Sequence, residues 1–562
     1  MKNLKNLFKR YNIDGYIVPK NDEYFNEYIH PSKDRLSFVS NFTGSAGFAV
    51  ILKNKNYLFV DGRYTFQAKQ QSGKKFKVIT IPNKFPRDEI KINKKIILGF
   101  DPKLHTEKQL SFLFKNKNIR LKSIEQNLVD MVWSKKPNEL SKPFYSISTK
   151  DSGKSTKKKI SLVKKVILKK NTDLLLVTAP ENVAWLLNIR GHDSGNSPIP
   201  NARLLLSKKG KVMLFANPKK LSRIKNNLNV FDEKDIKKIL SNISKKRVWL
   251  DSSSCSFFFK NLLAKKNEIY EKIDPIYFFK STKNITEIKN MKKTHLYDGI
   301  ALTKFLFWLK KNFKKKKITE ILAQNKLESY RKMSSFYKFP SFNTISGSGP
   351  NSAIIHYKAS KKSNRILRSG ELYLIDSGGQ YFFGTTDVTR TISLDNKSNL
   401  IKEIYTRVLK GHIAVSNFKI KKSSTGSQVD LEARRYLKKI KLDYPHGTGH
   451  GVGCFLNVHE GPQSLSKNNK VILKNGMILS NEPGYYKQGS FGIRIENLIY
   501  VKKNKFEELT IAPIEKDLIN KRFLNDTEVR WINNYHKKVQ KNLYKFMNPM
   551  EKNDLAKACS PI

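Results

Sequence analysis

Four acidic residues and one histidine in the last third of this 562-residue chain lie in short segments that combine glycine with strand-like apolar runs. These residues are Asp376, Asp387, His450, Glu482 and Glu496. Four carboxylates brought into one pocket repel each other at neutral pH, and such a group stays ionised only when cations hold it together. Four carboxylates and one imidazole suit two divalent ions, with two of the acids bridging them. A fold that brings these segments together is therefore expected, and the hypothesis that follows is a hydrolase with two metal ions.

The two aspartates flank a predicted reversal of the chain. Asp376 ends the strand-like segment LYLID, and Asp387 begins the strand-like segment DVTRTI. Gly378, Gly379 and Gly384 lie between them, and glycine allows a tight reversal and a close approach of the backbone to an ion. A hairpin-like return would set the two carboxylates side by side, one able to chelate a single ion and the other able to bridge two.

The two glutamates repeat this arrangement. Glu482 begins the turn signal EPG, and Glu496 lies in GIRIENLIYV, whose alternation predicts a strand with Arg494 and Glu496 on one face. Such a set can hold two ions about 3.5–4 Å apart. The alternative is an ion-pair network, which these segments support poorly because their basic residues are few, chiefly Arg390 and Arg494.

Four of the ten histidines fall in the same segments: His356, His446, His450 and His459. His446 and His450 are four residues apart, which on a helix would indicate a ligand pair. The Gly-Thr-Gly between them makes a helix a poor expectation, so both are not assigned as ligands. Taken alone, His356 or His459 is more often an ordinary hydrogen-bonded histidine. Beside a pair of metal ions, however, a histidine can hold a substrate carbonyl or a tetrahedral oxyanion.

Length and composition predict a globular protein of two or three domains. The chain exceeds what one hydrophobic core usually organises, and 39% of its residues are hydrophobic. Its three cysteines lie far apart and match no disulfide or metal framework, which fits a reducing compartment. The N-terminal apolar runs are too short for a signal peptide, and no run of about 18 apolar residues predicts a membrane span. The expected location is the cytoplasm.

The formal net charge of +61 could indicate binding to nucleic acid or to anionic membranes. The lysines are nevertheless scattered along the whole chain, with runs such as 157–159 and 314–317 far apart. They form no single basic arm, and they do not alternate with aromatic residues as a base-stacking surface would require. We therefore expect neither nucleic acid nor a membrane as a partner, and only a weak, salt-dependent preference for acidic partners or substrates.

Three units follow from the order of the predicted elements, and their bounds are 1–140, 148–283 and 284–562. A Ser/Lys-rich linker at 148–159 separates the first two, which share a rhythm of alternating strands and helices. Strands are predicted at 16–19, 47–52, 57–60, 173–179, 202–207, 211–216 and 248–253.

The third unit is predicted to begin with a long helix near Asn284. One apolar helical face is formed by Leu302, Phe305, Leu306, Leu309 and Phe313. A second helix has the same spacing at Ile401, Ile404, Tyr405, Val408 and His412. A last helix is predicted at 529–547, followed by a polar tail.

The motif segments resemble those of aminopeptidase P, the Xaa-Pro aminopeptidases of the pita-bread metallopeptidase group. The matching segments are DSGGQYFFGTTDVTRT, HGTGHGVG with NVHEGP, and EPGYY with GIRIEN. DRLSFVSNFTGSAGFAVI and LLNIRGHD resemble the first two domains of the long, three-domain, cytosolic form, so the resemblance covers nearly the whole chain. It implies an α/β (α+β) fold: two creatinase-like N-terminal α/β domains, followed by a C-terminal pita-bread catalytic domain.

The resemblance also implies a role for each candidate ligand. Asp376 would chelate one ion, Asp387 and Glu496 would bridge the pair, and His450 and Glu482 would complete the shell of the other ion. Manganese is the usual metal of the family, and an oxygen-rich shell favours a hard ion over one that prefers thiolates. Members of this form are commonly dimers, so a homodimer is expected.

The implied reaction is attack by metal-activated hydroxide on the carbonyl that precedes proline in an N-terminal Xaa-Pro peptide. Glu482 would handle the proton, while His356, His446 and His459 would position the substrate and stabilise the intermediate. Tyr485 and Arg494 are weaker candidates for contacts with the substrate. The expected partners are peptides with proline at position 2.

Two other functions remain as alternatives. A prolidase, which cleaves only Xaa-Pro dipeptides, has a related catalytic fold, but the three-domain length and GTTDVTRT argue against it. A non-catalytic basic binding protein on the same fold would be expected to lose metal ligands, and here all five are present. Cys454 departs from the family pattern, either as a small buried thiol or as a site of oxidation near the metals.

Overall fold

The computed structural model describes residues 1–90, 94–139, 141–224 and 228–562. Its contacts divide the chain into unit 1, residues 1–149 with 154–277, and unit 2, residues 150–153 with 278–562. Helices and strands are mixed throughout both units, as expected for the predicted class. The division of the first 283 residues into two domains stays a prediction. No helix within the described ranges combines the length and apolar character that crossing a bilayer requires.

The first sheet of unit 1 has six strands in the order β4-β3-β2-β1-β5-β6. The strands are β1 (Gly15–Pro19), β2 (Phe48–Leu52), β3 (Asn56–Asp61), β4 (Lys77–Ile81), β5 (Ile96–Phe100) and β6 (Ile119–Ser123). The helices of this part are α1 (Lys2–Arg10), α2 (Arg35–Ser40), α3 (Thr65–Ser72), α4 (Pro86–Glu89), α5 (Glu107–Phe114) and α6 (Leu128–Val132). The central strand β1 pairs antiparallel with β2 and parallel with β5. Its residues are all buried, because apolar side chains cover both faces of the sheet.

The second sheet repeats the same connectivity, in the order β12-β11-β10-β8-β13-β14. The six strands of this sheet are β8 (Leu174–Val177), β10 (Arg203–Ser207), β11 (Val212–Ala216), β12 (Val230–Asp232), β13 (Arg247–Leu250) and β14 (Glu268–Glu271). Two further short strands, β7 (Tyr145–Ser146) and β9 (Ile189–Arg190), pair only with each other. The helices are α7 (Thr149–Ser152), α8 (Thr156–Lys169), α9 (Pro180–Leu187), α10 (Ile236–Ser241), α11 (Phe257–Ala264) and α12 (Pro275–Ser281), of which α7 and α12 extend into unit 2. As β1 does in the first sheet, β8 pairs antiparallel with one neighbour, β10, and parallel with the other, β13. The seven strands predicted from sequence in unit 1 are confirmed, although β8 ends at Val177 and β13 at Leu250, before the predicted residues 179 and 253.

The helices of unit 2 that follow residue 284 include α13, which has 28 residues. They are α13 (Ile285–Asn312), α14 (Glu320–Lys332), α15 (Asn399–Ser416), α16 (Gly426–Lys438), α17 (Asp526–Leu543) and α18 (Pro549–Cys559). Asn284 begins α13 with a capping box that it forms with Glu287. The two apolar faces predicted for α13 and α15 are confirmed, since their residues are buried in the core of this unit.

The strands of unit 2 form several short sheets between these helices. They are β15 (Tyr337–Pro340), β16 (Ile345–Ser348), β17 (Leu372–Ser377), β18 (Gly379–Tyr381), β19 (Gly384–Thr385), β20 (Val388–Ser393), β21 (Gly449–Gly451), β22 (Glu460–Leu465), β23 (Ile478–Asn481), β24 (Gly484–Lys487), β25 (Phe491–Arg494), β26 (Asn497–Lys502) and β27 (Lys505–Glu508). The largest sheet has the order β22-β21-β23-β26-β27, and β17 lies between β16 and β20 in a second one.

The C-terminal region differs from the prediction. The helix expected at 529–547 is α17, which begins three residues earlier and ends at Leu543. The predicted polar tail contains a further helix, α18, which Asn548 and Glu551 begin with a capping box. Leu555 and Cys559 of α18 are buried against the core, which explains why this polar segment is helical.

Candidate metal centre

The two aspartates come together because β17 and β20 are antiparallel neighbours. Asp376 lies opposite Thr389 in this ladder, and Asp387 immediately precedes β20. The intervening residues form the small β18–β19 hairpin, so the predicted reversal is confirmed. A β-carbon on Gly378 would lie 2.0 Å from the carbonyl oxygen of Thr386, so only glycine fits where the chain leaves β17.

His450 and Glu482 approach this pair from the largest sheet. His450 lies in the short strand β21, which agrees with the expectation that residues 446–450 are not helical, and Glu482 directly follows β23. His450 Nε2 is 3.3 Å from Asp387 Oδ2 and 3.6 Å from Glu482 Oε1. His450 Nδ1 donates to the carbonyl oxygen of Gly451 at 2.9 Å. This bond places the proton of a neutral ring on Nδ1, so that the lone pair of Nε2 faces the carboxylates.

Glu496 completes the group. Ligand atoms of Asp387, His450 and Glu496 all lie within 4.8 Å of one another. The predicted continuous strand through Glu496 is wrong, because β25 ends at Arg494 and β26 begins at Asn497. Glu496 therefore lies in a break, where its backbone N–H donates to the carbonyl oxygen of Thr389 at 3.1 Å.

Arg494 holds the opposite side of the acidic group. Its Nη2 donates to Asp376 Oδ2 at 2.6 Å, and its Nε donates to Thr389 Oγ1 at 3.1 Å. Thr389 Oγ1 in turn donates to Glu496 Oε2 at 2.6 Å. The other oxygen of Asp376, Oδ1, is buried and has no hydrogen-bond partner. A buried carboxylate oxygen without a donor is expected where a cation completes its coordination.

The buried acids of the site raise one another's pKa, which favours a bound cation. Burial, together with Asp387 and Glu482, raises the pKa of Asp376 to about 7, against the lowering effect of Arg494. Burial and the neighbouring acids also raise the pKa of Glu482 and of Glu496. Burial would lower the pKa of His450, but the hydrogen bond to Asp387 and the charge of Glu482 raise it to about 9. These raised pKa values show that the buried carboxylates are costly to ionise side by side, and a bound cation would remove that cost, so this oxygen-rich donor set with one imidazole fits a metal site.

Two other predicted histidines lie close to this group. The ring of His459 is centred 4.2 Å from that of His450, and the two ring planes meet at 64°. His446 Nδ1 donates to the carbonyl oxygen of Gly447, and its Nε2 is hydrogen-bonded to Tyr486 Oη at 2.9 Å. Arg494 Nη1 donates to the same Tyr486 oxygen at 2.7 Å. A chain of contacts therefore runs from His446 through Tyr486 to Arg494.

His356 lies in a turn after the 3-10 helix Gly349–Ala353. That helix packs on β25, where the Gly492 N–H donates to Ser352 Oγ at 2.7 Å. The roles predicted for His356 and for the other site residues stay predictions. Cys454 is buried, and its thiol donates to the carbonyl oxygen of Phe383 at 3.3 Å, which favours the small-thiol interpretation.

Sequence reasoning missed three residues that support the site. Thr389 contacts Glu496, Ser480 Oγ donates to Glu482 Oε1 at 3.1 Å, and Tyr486 joins His446 to Arg494. Thr389 could have been found, because it is two residues after Asp387 and strand alternation puts both on one face.

The comparisons with known proteins agree with this architecture. Residues 1–130 and 135–287 each match the model of the creatinase/prolidase N-terminal domain. Residues 289–503 match that of metallopeptidase family M24, and residues 503–562 match the C-terminal region of that peptidase. The predicted fold class is confirmed: N-terminal creatinase-type α/β domains precede a pita-bread domain.

Aminopeptidase P relatives are similar over the full length of this chain, whereas prolidases match a smaller part of it. A probable Xaa-Pro aminopeptidase P of Laccaria bicolor is 35% identical over 605 residues, covering 100% of this chain and 92% of the relative. The crystal structure of a cytosolic X-prolyl aminopeptidase with a di-nuclear active site, from Caenorhabditis elegans, is 31% identical with a TM-score of 0.94, covering 100% and 99%. A prolidase from Pyrococcus horikoshii is 26% identical with a TM-score of 0.54, covering 64% of this chain and 99% of its own. This chain belongs to metallopeptidase family M24 and, within it, to the aminopeptidase P group.

Proposed function

We propose that this protein is an Xaa-Pro aminopeptidase, which hydrolyses the peptide bond between the first residue of a peptide and a proline at position 2. The observation that carries the proposal is the convergence of Asp387, His450 and Glu496 on one point, beside the unpartnered oxygen of Asp376. Full-length similarity to aminopeptidase P proteins supports this substrate class over the dipeptides of a prolidase. The complete set of donors supports an enzyme over a non-catalytic basic binding protein.

The group that the site would hold is two divalent ions, with Mn²⁺ as the first choice. Asp376, Asp387, His450, Glu482 and Glu496 would hold these ions. Carboxylate donors favour such a hard ion. When bound, divalent ions lower the pKa of a water molecule and polarise a carbonyl group.

The protein's own residues would supply the proton transfers and the orientation of the substrate. Glu482, whose pKa is raised by burial, is suited to take the proton of the attacking water and to pass it to the leaving nitrogen. Ser480 Oγ donates to Glu482 Oε1 and so fixes the direction of that carboxylate. His459 is exposed beside His450, where its ring can hold a substrate carbonyl or oxyanion.

His356 and His446 are proposed to position the substrate. His446 is already oriented by Gly447 and Tyr486, so little of its freedom is lost when a substrate binds. Arg494 is almost fully buried and donates to Asp376, Thr389 and Tyr486. Its proposed contribution to substrate binding would therefore pass through these partners.

Proline at position 2 makes the scissile amide tertiary, without an N–H. Enzymes that must bind that N–H fail on such a bond, and a cavity shaped for the ring would make proline a requirement. The protein is further proposed to act in the cytoplasm as a homodimer. Light scattering on the purified protein tests the dimer, since a monomer mass at micromolar concentration would contradict it.

The decisive experiment measures release of the first residue from Arg-Pro-Pro, Arg-Ala-Pro and Arg-Pro by protein that has been stripped of metal and then supplied with Mn²⁺. Fast release from Arg-Pro-Pro, far slower release from the other two, and loss of activity with a chelator are expected. Cleavage of Arg-Pro alone would identify a prolidase. A preparation that binds no divalent ion and cleaves no peptide would favour the binding protein.

Asp387→Asn removes one predicted bridging charge while keeping the shape of the side chain. We expect its turnover to fall by more than about 100-fold, since even residues that only support a metal ligand are worth about 10- to 100-fold. Asp395→Asn is the matched control, because Asp395 is an exposed aspartate paired with Lys314 in the same unit. Wild-type turnover by Asp387→Asn would reject the assignment.

A further inference from the structure

Two lysines and one glutamate form a charged group in the interior of unit 2. Lys283 Nζ donates to Glu460 Oε1, and Lys280 Nζ is 3.3 Å from Glu460 Oε2. The side chains of Lys280, Lys283 and Glu460 are only 2%, 1% and 0% exposed. Among the described ion pairs this is the most deeply buried set outside the acidic group.

Such a group is difficult to explain by stability alone. Removing three charges from water is costly, and apolar side chains of similar volume would often stabilise the interior as well or better. Buried ion pairs do, however, fix the relative position of the segments that carry them, because one partner left alone would be a buried, uncompensated charge. The position of these residues in the fold is therefore informative.

Glu460 directly follows His459 and begins β22. It pairs with Gly451 of β21, the residue next to His450, and a β-carbon on Gly451 would lie 2.3 Å from the Glu460 carbonyl oxygen. His459 lies in a bend just before the strand, and Glu460 is the first residue of the strand itself. The side chain of Glu460 enters the interior, while the exposed ring of His459 stays beside that of His450. Fixing Glu460 thus fixes the backbone from which His459 extends.

The backbone of the segment that carries the two lysines is hydrogen-bonded to residues 476 and 477. Thr282 forms a β-bridge with Met477, and the Lys283 N–H donates to the carbonyl oxygen of Gly476 at 3.0 Å. Residues 476 and 477 lead into β23, which ends just before Glu482. The buried group therefore connects the segment that carries Glu482 to the one that carries His459.

We propose that Glu460, clamped by Lys280 and Lys283, is a positioning residue that sets the ring of His459 over the candidate metal centre. This inference rests on the proposed function, in which His459 holds the reacting carbonyl or oxyanion. Its substrate is thus the same Xaa-Pro peptide, and the clamp acts on it only through His459.

The test is a double-mutant cycle on the metal-loaded enzyme with Arg-Pro-Pro, using Glu460→Asp, His459→Ala and the double variant. Glu460→Asp keeps the charge that the lysines need but withdraws the carboxylate by one methylene. We expect it to lower kcat by about 10- to 100-fold with little change in KM, since a displacement of about 1 Å can cost 10²-fold. In the His459→Ala background the same change should cost less than about threefold.

Glu515→Gln is the matched control, since Glu515 is a buried glutamate paired with Lys310 at 2.8 Å in the same unit. We expect its kcat to stay within about twofold of wild type. If Glu460→Asp lowered kcat equally with and without the His459 ring, the inference would be overturned. A kcat of Glu460→Asp equal to that of the wild type would overturn it as well. A wild-type enzyme inactive on Arg-Pro-Pro would instead reject the proposed function.

A second measurement does not depend on activity or on Glu460→Asp being an active enzyme. Ring carbon and proton signals of selectively labelled histidines are recorded by NMR, with His459 identified through His459→Ala. We expect Glu460→Asp to shift the His459 signal, while Glu515→Gln leaves it in place. An unchanged His459 signal in folded Glu460→Asp would overturn the positioning role.

Discussion

The hydroxyl of Thr389 is small, buried and placed between two charged groups, so its removal gives a precise test of the site. It donates to Glu496 Oε2 at 2.6 Å and accepts from Arg494 Nε at 3.1 Å. Thr389→Val keeps the shape of the side chain and deletes both bonds. A hydrogen bond to a charged group is worth about 1.5–3 kcal/mol, which corresponds to about a 10- to 100-fold change in an equilibrium constant.

We therefore expect Thr389→Val to weaken the binding of Mn²⁺ by about 10- to 100-fold, because the Glu496 carboxylate loses the donor that fixes its orientation. Isothermal titration of the metal-free protein measures this affinity directly. Peptidase activity at saturating Mn²⁺ should recover to within about tenfold of wild type, since the carboxylate itself remains.

Thr391 provides the control on the same strand. It is equally buried, but its hydroxyl exchanges hydrogen bonds with the backbone of Arg494 at 2.9 and 3.0 Å rather than with a carboxylate. Thr391→Val should lower stability while leaving the affinity for Mn²⁺ within about threefold of wild type. Wild-type affinity in Thr389→Val, or an equal loss in Thr391→Val, would refute the role assigned to Thr389.

Three further predictions concern charge, packing and orientation. Burial and nearby acids raise the pKa of Asp376 to about 7, from about 4 in an unfolded chain, so the folded metal-free protein holds a proton that the unfolded chain releases. The stability of the metal-free protein should therefore fall as the pH rises from about 4 to about 7. The midpoint of thermal unfolding, measured at pH 5 and at pH 8, should be lower at pH 8 without Mn²⁺, and this decrease should be absent when Mn²⁺ is bound. Leu555→Ala, in a fully buried position of α18, should cost about 2–5 kcal/mol in denaturant unfolding, whereas Met550→Ala, at a position 67% exposed, should change stability by less than about 0.5 kcal/mol. Tyr486→Phe removes the oxygen that joins His446 to Arg494, and it should lower kcat/KM by about 10- to 100-fold. Tyr485→Phe should have the kcat/KM of the wild type. Equal effects of the two changes would contradict the role of Tyr486 in orienting His446.

The main features of the site could be predicted because glycine and alternation constrain short strands strongly. Asp376 and Asp387 flank a glycine-rich reversal, and the structure places them on neighbouring antiparallel strands. The break at Glu496 could not be predicted, because the alternation of GIRIENLIYV continues across it. What interrupts that strand is the close approach of β20, a contact between residues more than a hundred positions apart.

Tyr485 and Tyr486 show a second limit of the sequence. The two residues are chemically identical, and only the register of β24 with β25 separates them. Gly484 pairs with Arg494 and Tyr486 with Gly492, so Tyr486 shares the face of Arg494, while Tyr485 lies on the opposite face with the buried Ile493. A shift of one residue would exchange their roles, and nothing in the local sequence fixes that register.

The helix α18 was missed for a different reason. Its apolar residues are few, and it contributes only Leu555 and Cys559 to the buried core. The signal for its start was nevertheless present, since Asn548, Pro549 and Glu551 have the spacing of a capping box with proline in the first turn. Helix-start signals can therefore identify elements whose apolar pattern is weak.

The shared strand order of the two sheets in unit 1 has a consequence for synthesis on the ribosome. In each sheet the parallel neighbour of the central strand is synthesised long after that strand. In the first sheet β1 ends at Pro19 and its partner β5 begins at Ile96. In the second sheet β8 ends at Val177 and its partner β13 begins at Arg247. Until then one side of the central strand keeps unpaired N–H and C=O groups, which invite pairing with another nascent chain. This part of the protein is thus exposed twice to the same hazard, and co-translational chaperones would be needed most in these two intervals.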